Sequence, residues 1–205
     1  MAMLLAVFLA PATAADPPPA LDPRAIAVIE RTATTRQTYA VYTRIVLHLP
    51  SDKRTFVTAE FHEGDKHRVD TPDMRMVADC KGGAGFRWLA TTGEVRAEAN
   101  AAASACGIDR TARLIWARYL GQATGSFGKV DRIELVDASN RRTYEVTAAG
   151  VILGQTIAPA AAGAPPLLEL TTIALEKTLP PGDIFAPERL SASAIPQNKA
   201  RAGGM

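Results

Sequence analysis

Residues 66–89 read KHRVDTPDMRMVADCKGGAGFRWL. The two runs KHRVD and MRMVADC are separated by Thr71-Pro72-Asp73, and Gly82-Gly83-Ala84-Gly85 leads into a third run, GFRWLA. Turns this tight leave no room for a crossover helix, so neighbouring strands should pair antiparallel.

The same period extends on both sides. In TYAVYTRIVLHL, Tyr39, Val41, Ile45, Leu47 and Leu49 share one parity, and Val57, Ala59 and Phe61 alternate with Thr58, Glu60 and His62. Further strands are read in EVRAEA, KVDRIELVDA, RRTYEVTA, VILGQTIAP and LLELTTIALEKTL. Two segments are helical by spacing. Asp22 and Pro23 are suited to cap and open a helix carrying Ala25, Ile26 and Ile29, and RTARLIWARYLG, behind Asp109, predicts a mid-chain helix ending at Gly121. Segregated helices and runs of strands give α+β: a curved, incomplete antiparallel β-barrel of roughly eight to eleven strands wrapped on an N-terminal and a mid-chain helix.

The chain ends have a different character. Met3 to Ala10 is an apolar run too short to span a bilayer, and Ala12-Thr13-Ala14 follows it as a cleavage pattern, although no Lys or Arg precedes it. Residues 1–15 are read as a signal peptide, 16–21 as a Pro-rich lead-in, 22–190 as one domain and 191–205 as a disordered tail. That predicts export. No cysteine follows the apolar run to carry a lipid anchor, and no later segment is a membrane span.

Composition excludes other classes. The 205 residues suit one domain, and 47% of them are hydrophobic. A net charge of +2 with scattered basic residues provides no face for nucleic acid, and 6% aromatics is poor material for base stacking. Cys80 and Cys106 form an even pair, which in an exported chain suggests one disulfide contributing about 3 kcal/mol; two buried thiols are the alternative.

Reactive motifs are weak. His62-Glu63 and His67 are spaced for neither face of a helix, so no metal site is assigned. Cys80 or His67 would serve an uncharacterised hydrolase only with partners supplied by the fold. GGAG lacks the Lys-Ser/Thr of a phosphate loop, and Asp70, Asp73 and Asp79 read as turn and surface residues. No catalytic residue and no cofactor is assigned. Met74 and Met76 share a parity, as do Phe86 and Trp88, and such side chains suit either an apolar cavity or packing against helices; parity does not separate the two.

The order of these signals resembles the bacterial outer-membrane lipoprotein carrier superfamily, the LolA/LolB-like proteins and their relatives of unknown function. The helix DPRAIAVIERTATTRQ, the long strand pair, HRVDTPDMRMVADCKGGAGFRWLATTGEV, the late hairpin YEVTAAGVILGQTIA and the finish LEKTLPPGDIFAPERL carry the resemblance over residues 22–190. Asp79-Cys80-Lys81-Gly82-Gly83 stands where the family has Asp-Gly, and a lipobox is absent. The resemblance implies a non-catalytic carrier that holds a lipid or lipoprotein acyl chains between sheet and helices. Its lining would be drawn from Val41, Ile45, Leu47, Val57, Phe61, Met74, Met76, Phe86 and Trp88, with the Trp116 helix as a lid. Its partners would be a lipid or lipid-modified protein and proteins of the inner or outer membrane. A cell-envelope interaction module with a filled core is the alternative.

Overall fold

A computed structural model describes residues 21–111 and 113–201; the signal-peptide reading lies outside them. Helix α1 spans Pro23–Thr34. Asp22 caps it by accepting a hydrogen bond from the Arg24 amide at 2.9 Å, and Pro23 occupies the first turn, where its missing N–H costs nothing. Ala25, Val28, Ile29 and Thr32 recur at helical spacing and form its buried side.

The strands are β1 (Tyr39–His48), β2 (Lys53–Glu63), β3 (Lys66–Asp70), β4 (Met74–Asp79), β5 (Gly85–Leu89) and β6 (Val95–Glu98). After the short helix α2 (Ala101–Ala105) come β7 (Trp116–Gly125), β8 (Gly128–Val136), β9 (Asn140–Thr147), β10 (Ile152–Pro159) and β11 (Leu168–Glu176). They form one 11-stranded sheet in the order β6-β5-β4-β3-β2-β1-β11-β10-β9-β8-β7. Each named pair is antiparallel, and hairpins join all consecutive strands except β6 to β7. There the chain crosses through α2 to the far edge and meanders back until β11 pairs with β1. Register shifts at Tyr42/Thr43, Tyr119/Gly121 and Ile152/Gly154 mark the bulges that bend such a sheet. The strands at its two ends do not pair with each other, so the curved sheet is an open half-barrel, α+β as expected.

The mid-chain helix is not where the sequence places it. Residues 116–125 are strand β7, and the helix of this region is the five-residue α2. Asp109 makes its cap-like bond, to the Thr111 amide at 2.8 Å, with no helix after it. Good helix formers are overridden by pairing with β8 along the whole length of β7. Ala117 is buried while Arg118 and Leu120 face out, a period of two. Gly121, at φ +102°, supplies the bulge that leaves Leu120 out of register.

The sheet is covered on both faces. α1 packs on β7–β9 through Ala25, Val28 and Ile29 against Ile133, Leu135, Tyr144 and Val146. α2 packs on the same face farther along, its alanines against Met76 and Ala78. The opposite face is crossed by the C-terminal strap, residues 177–201, which buries Ile184 against Ala40, Tyr42, Ala59 and Phe61. The strap contains a 3-10 turn (Pro187–Arg189) and ends in α3 (Gln197–Arg201), with Lys199 paired to Glu176 at 2.8 Å. Residues 191–201 are therefore not the disordered tail expected. Arg68 and Arg75 donate to carbonyls of residues 190–192, and Asp70 accepts from the Ala194 amide.

Candidate functional site

Strand register sorts the expected lining residues onto two faces. Val41 pairs with Glu60 and Leu175, Ile45 with Phe56 and Leu170, and Leu47 with Leu168. Met76 pairs with Val69, which in turn pairs with Glu60. Val41, Ile45, Leu47, Met74 and Met76 thus share the helix-bearing face. Val57 and Phe61 pair with Arg44 and Ala40 and belong to the strap face. Phe86 and Trp88 join them there, opposite Val77 and Arg75. Trp88 lies under the Arg75 guanidinium at 4.1 Å, and Trp116, on β7 rather than on a lid, lies under Arg118 at 5.2 Å. The ten residues do not converge on one cavity.

Between α1 on β7–β8 and α2 on β3–β5, the middle strands carry a stripe on the helix-bearing face. Register aligns Phe56, Ile45, Leu170 and Gln155 in one row, with Leu47, Leu168 and Ile157 in the next. All but Ile45 are half-buried, so this apolar stripe is accessible. Farther along β1 the character changes. Thr43 and Thr58 share a hydrogen bond of 2.6 Å between their hydroxyls, and beyond them lie Glu60, His62 and His67.

His62 and His67 are not the solvated turn residues the sequence suggests; they are 2% and 1% exposed. Asp70 is likewise fully buried, held by Arg68 across 2.6 Å. Strand β3 lies between β2 and β4 and both its faces are covered, so residues of both parities of KHRVD, His67 on one and Arg68 and Asp70 on the other, are buried, while Lys66 at its start stays exposed. Burial, with His62 adjacent, pushes His67 down to about 3, and burial pushes Glu60 up to about 7. Between pH 4.5 and 7 the unfolded chain has released the Glu60 proton while the folded protein keeps it, so this contribution to stability falls as pH rises. His67 has the opposite sign: from pH 6.5 down to about 3 the unfolded chain takes a proton that the folded protein refuses. The two nearly cancel where they overlap. A Glu60→Gln variant is expected to gain stability relative to wild type from pH 4.5 to 7 and to show no further gain above; urea melts across that range measure it.

A concavity of about 940 Å3 lies between the β3–β6 end of the sheet and the strap. Phe86, Val77, Phe185 and Pro187 give it apolar walls, with Asp65 and Lys81 among its charged lining. Phe86 is the one expected lining residue found there.

Cys80 and Cys106 form a disulfide with Cα atoms 5.7 Å apart. It ties the end of β4 to the end of α2. Among the described residues no group of three or more His, Cys, Asp or Glu side chains is placed to hold a metal, and no helix is long and apolar enough to cross a membrane.

No protein-family model matches the chain, and no curated protein sequence does either. Solved structures do. An uncharacterized conserved protein from Thermus thermophilus aligns with TM-score 0.51 at 9% identity, over 86% of this chain and 96% of that one. The two share a fold. A LolA-superfamily protein from Nitrosomonas europaea, NE2245, aligns at 0.40 and 10% identity, over 79% and 97%. MucB, crystallised in complex with MucA(peri), aligns at 0.44 and 12%, over 75% of this chain and 56% of that one, so this chain spans little more than half of that MucB chain. A LolA-superfamily protein is thus among the structural neighbours.

Proposed function

We propose that this protein is a non-catalytic binding or carrier protein of the periplasm that holds a lipid or lipoprotein acyl chain on the helix-bearing face of its sheet. The observation that carries this is the stripe of Phe56, Ile45, Leu170, Leu47, Leu168 and Ile157, accessible between two helices that pack to either side of it. An acyl chain lying there would leave water at about 0.8 kcal/mol per methylene. Export is supported by the N-terminal sequence pattern and by the disulfide, which belongs to an oxidising compartment.

Protein purified without detergent is expected to carry acyl chains in native mass spectra, or to take up a fluorescent fatty-acyl probe once delipidated. A Leu170→Asp variant should bind the probe about tenfold more weakly with its fold intact, because a charge on a half-buried apolar row must be desolvated by the chain. Wild-type protein that takes up no acyl probe would sink the reading.

The cleft beside Phe86 favours a second reading, an envelope module that docks another protein. Phe86 and Val95, 38% and 39% exposed, stand on paired strands at the sheet's end. A Phe86→Ala variant that loses an envelope partner in pull-down while acyl uptake is absent would favour it.

A further inference from the structure

Beyond the threonine pair the stripe meets a polar chain whose proton positions can be deduced. His62 Nε2 lies 3.0 Å from the Thr35 carbonyl oxygen and 2.8 Å from that of Gly64. Only an N–H can meet two carbonyls, so His62 Nε2 carries the proton. Burial lowers the pKa of both rings, so each is neutral and has a single N–H. His62 Nδ1 is then an acceptor, and His67 Nδ1, 3.1 Å away, donates to it. His67 Nε2 is left as a bare lone pair. It is buried and has no hydrogen-bond partner among the described residues.

What faces that lone pair, once Glu60 is ionised above about pH 7, is another acceptor. Glu60 Oε2 lies 3.8 Å from it, beyond hydrogen-bonding distance. The Glu60 side chain is 31% exposed and that of His67 1%, so Glu60 is the member of the pair that reaches solvent on the helix-bearing face. Tyr39 stacks on His62 at 5.3 Å on the same side, and Arg36 and Asp65, paired at 2.7 Å, flank the far edge of His62. Val41, the cross-strand partner of Glu60, is four residues along β1 from Ile45, about 13 Å. A twelve-carbon chain is long enough to span that separation, past the buried Thr43 and Thr58.

We propose that Glu60 and His67 form a head-group subsite at the inner end of the stripe, selecting a primary ammonium on a long alkyl chain over an anionic head. The inference rests on the acyl-binding reading above. An ammonium has three donors, one for the His67 Nε2 lone pair and one for the ionised Glu60 carboxylate, and it neutralises the latter's charge. A hydroxyl has one donor and cannot satisfy both. A carboxylate or phosphate has none and meets two lone pairs.

The test compares dodecylamine, dodecanol and dodecanoate, each below its aggregation threshold, in calorimetric titrations at about pH 7.5. Wild-type protein is expected to bind the amine about tenfold more tightly than dodecanoate, with the alcohol between them. Glu60→Gln should remove most of the amine's advantage over the alcohol. In wild type, the His67 ring nitrogen resonances should move with the amine and not with the alcohol. Dodecanoate binding as tightly as the amine, or an amine preference that survives Glu60→Gln, overturns the subsite and leaves the acyl-binding reading standing. The wild-type comparison alone decides this if the variant does not fold. If none of the three probes binds, the acyl-binding reading fails and the subsite fails with it.

Discussion

An Arg68→Ala variant is expected to lose about 3–5 kcal/mol of folding stability, the cost of leaving one member of a buried ion pair without its partner. Arg68 and Asp70 are 1% and 0% exposed and stand two residues apart on one strand, side by side on the strap face. The guanidinium donates to Asp70 from Nε at 2.6 Å and from a terminal nitrogen at 3.1 Å. It also donates to the carbonyls of Ile184 at 2.5 Å and Ala192 at 2.6 Å. Asp70 accepts from the Ala194 amide at 2.6 Å and the Ser193 hydroxyl at 3.1 Å. Every residue in this network is therefore on β3 or the strap, and the pair is the rivet between them. Removing the guanidinium leaves the Asp70 carboxylate charged and two strap carbonyls unmet. Loss should begin locally: amide exchange of residues 184–195 accelerates first, while β7–β9, held by α1, stay protected. Arg68→Met with Asp70→Leu should recover part of the loss, because two apolar side chains need no partners. A denaturation midpoint for Arg68→Ala within about 0.5 kcal/mol of wild type would refute the rivet.

The same rivet shows where sequence reading stops. Antiparallel pairing, the hairpins and α1 with its Asp22 cap were all legible, because each depends on local turn chemistry and on a period within one segment. What covers each face is not local. A strand such as β2 has two parities, and Val57, Ala59 and Phe61 look like its single inward face. In the fold that parity meets the strap, and Glu60 and His62 meet the helix side. The strap could not be anticipated from LPPGDIFAPERLSASAIPQ, whose apolar residues are sparse and whose turns are many; its anchorage comes from Arg68, Arg75 and Asp70, far away in sequence. Misplacing the mid-chain helix had a different cause. Leu114, Ile115, Tyr119 and Leu120 fit a helical stripe, and only the β8 partner, joined through the turn at Ser126-Phe127, decides otherwise. One signal was available for the polar sites: Arg68 and Asp70 at i and i+2, and Glu60 and His62 likewise, are pairs on one face of a strand, which is how charged residues are made to meet in a sheet.

Replacing Cys80 and Cys106 together by alanine is expected to cost about 3.5 kcal/mol, the loop-closure entropy regained by the unfolded chain over a separation of 26 residues. The reason to expect nearly the full value is what the bond holds. Helix α2 has five residues, no side-chain cap and only small side chains to bury, so it has little stability of its own. Its other tie to the sheet is the Ala102 amide, which donates to Gly83 at 3.1 Å; beyond it, Gly107 sits against the backbone of Thr32 and buried Ile108 donates its amide to Thr32 Oγ1 at 3.0 Å. Without the disulfide, residues 99–106 should exchange their amides close to the unfolded rate, and Met76 and Ala78 beneath them should become accessible. Adding reductant to wild type should reproduce both effects, and adding it to the double variant should change nothing. That comparison separates the cross-link from the loss of two sulfur side chains. A double variant within about 1 kcal/mol of wild type would mean that α2 is held by its packing alone, without a covalent tie.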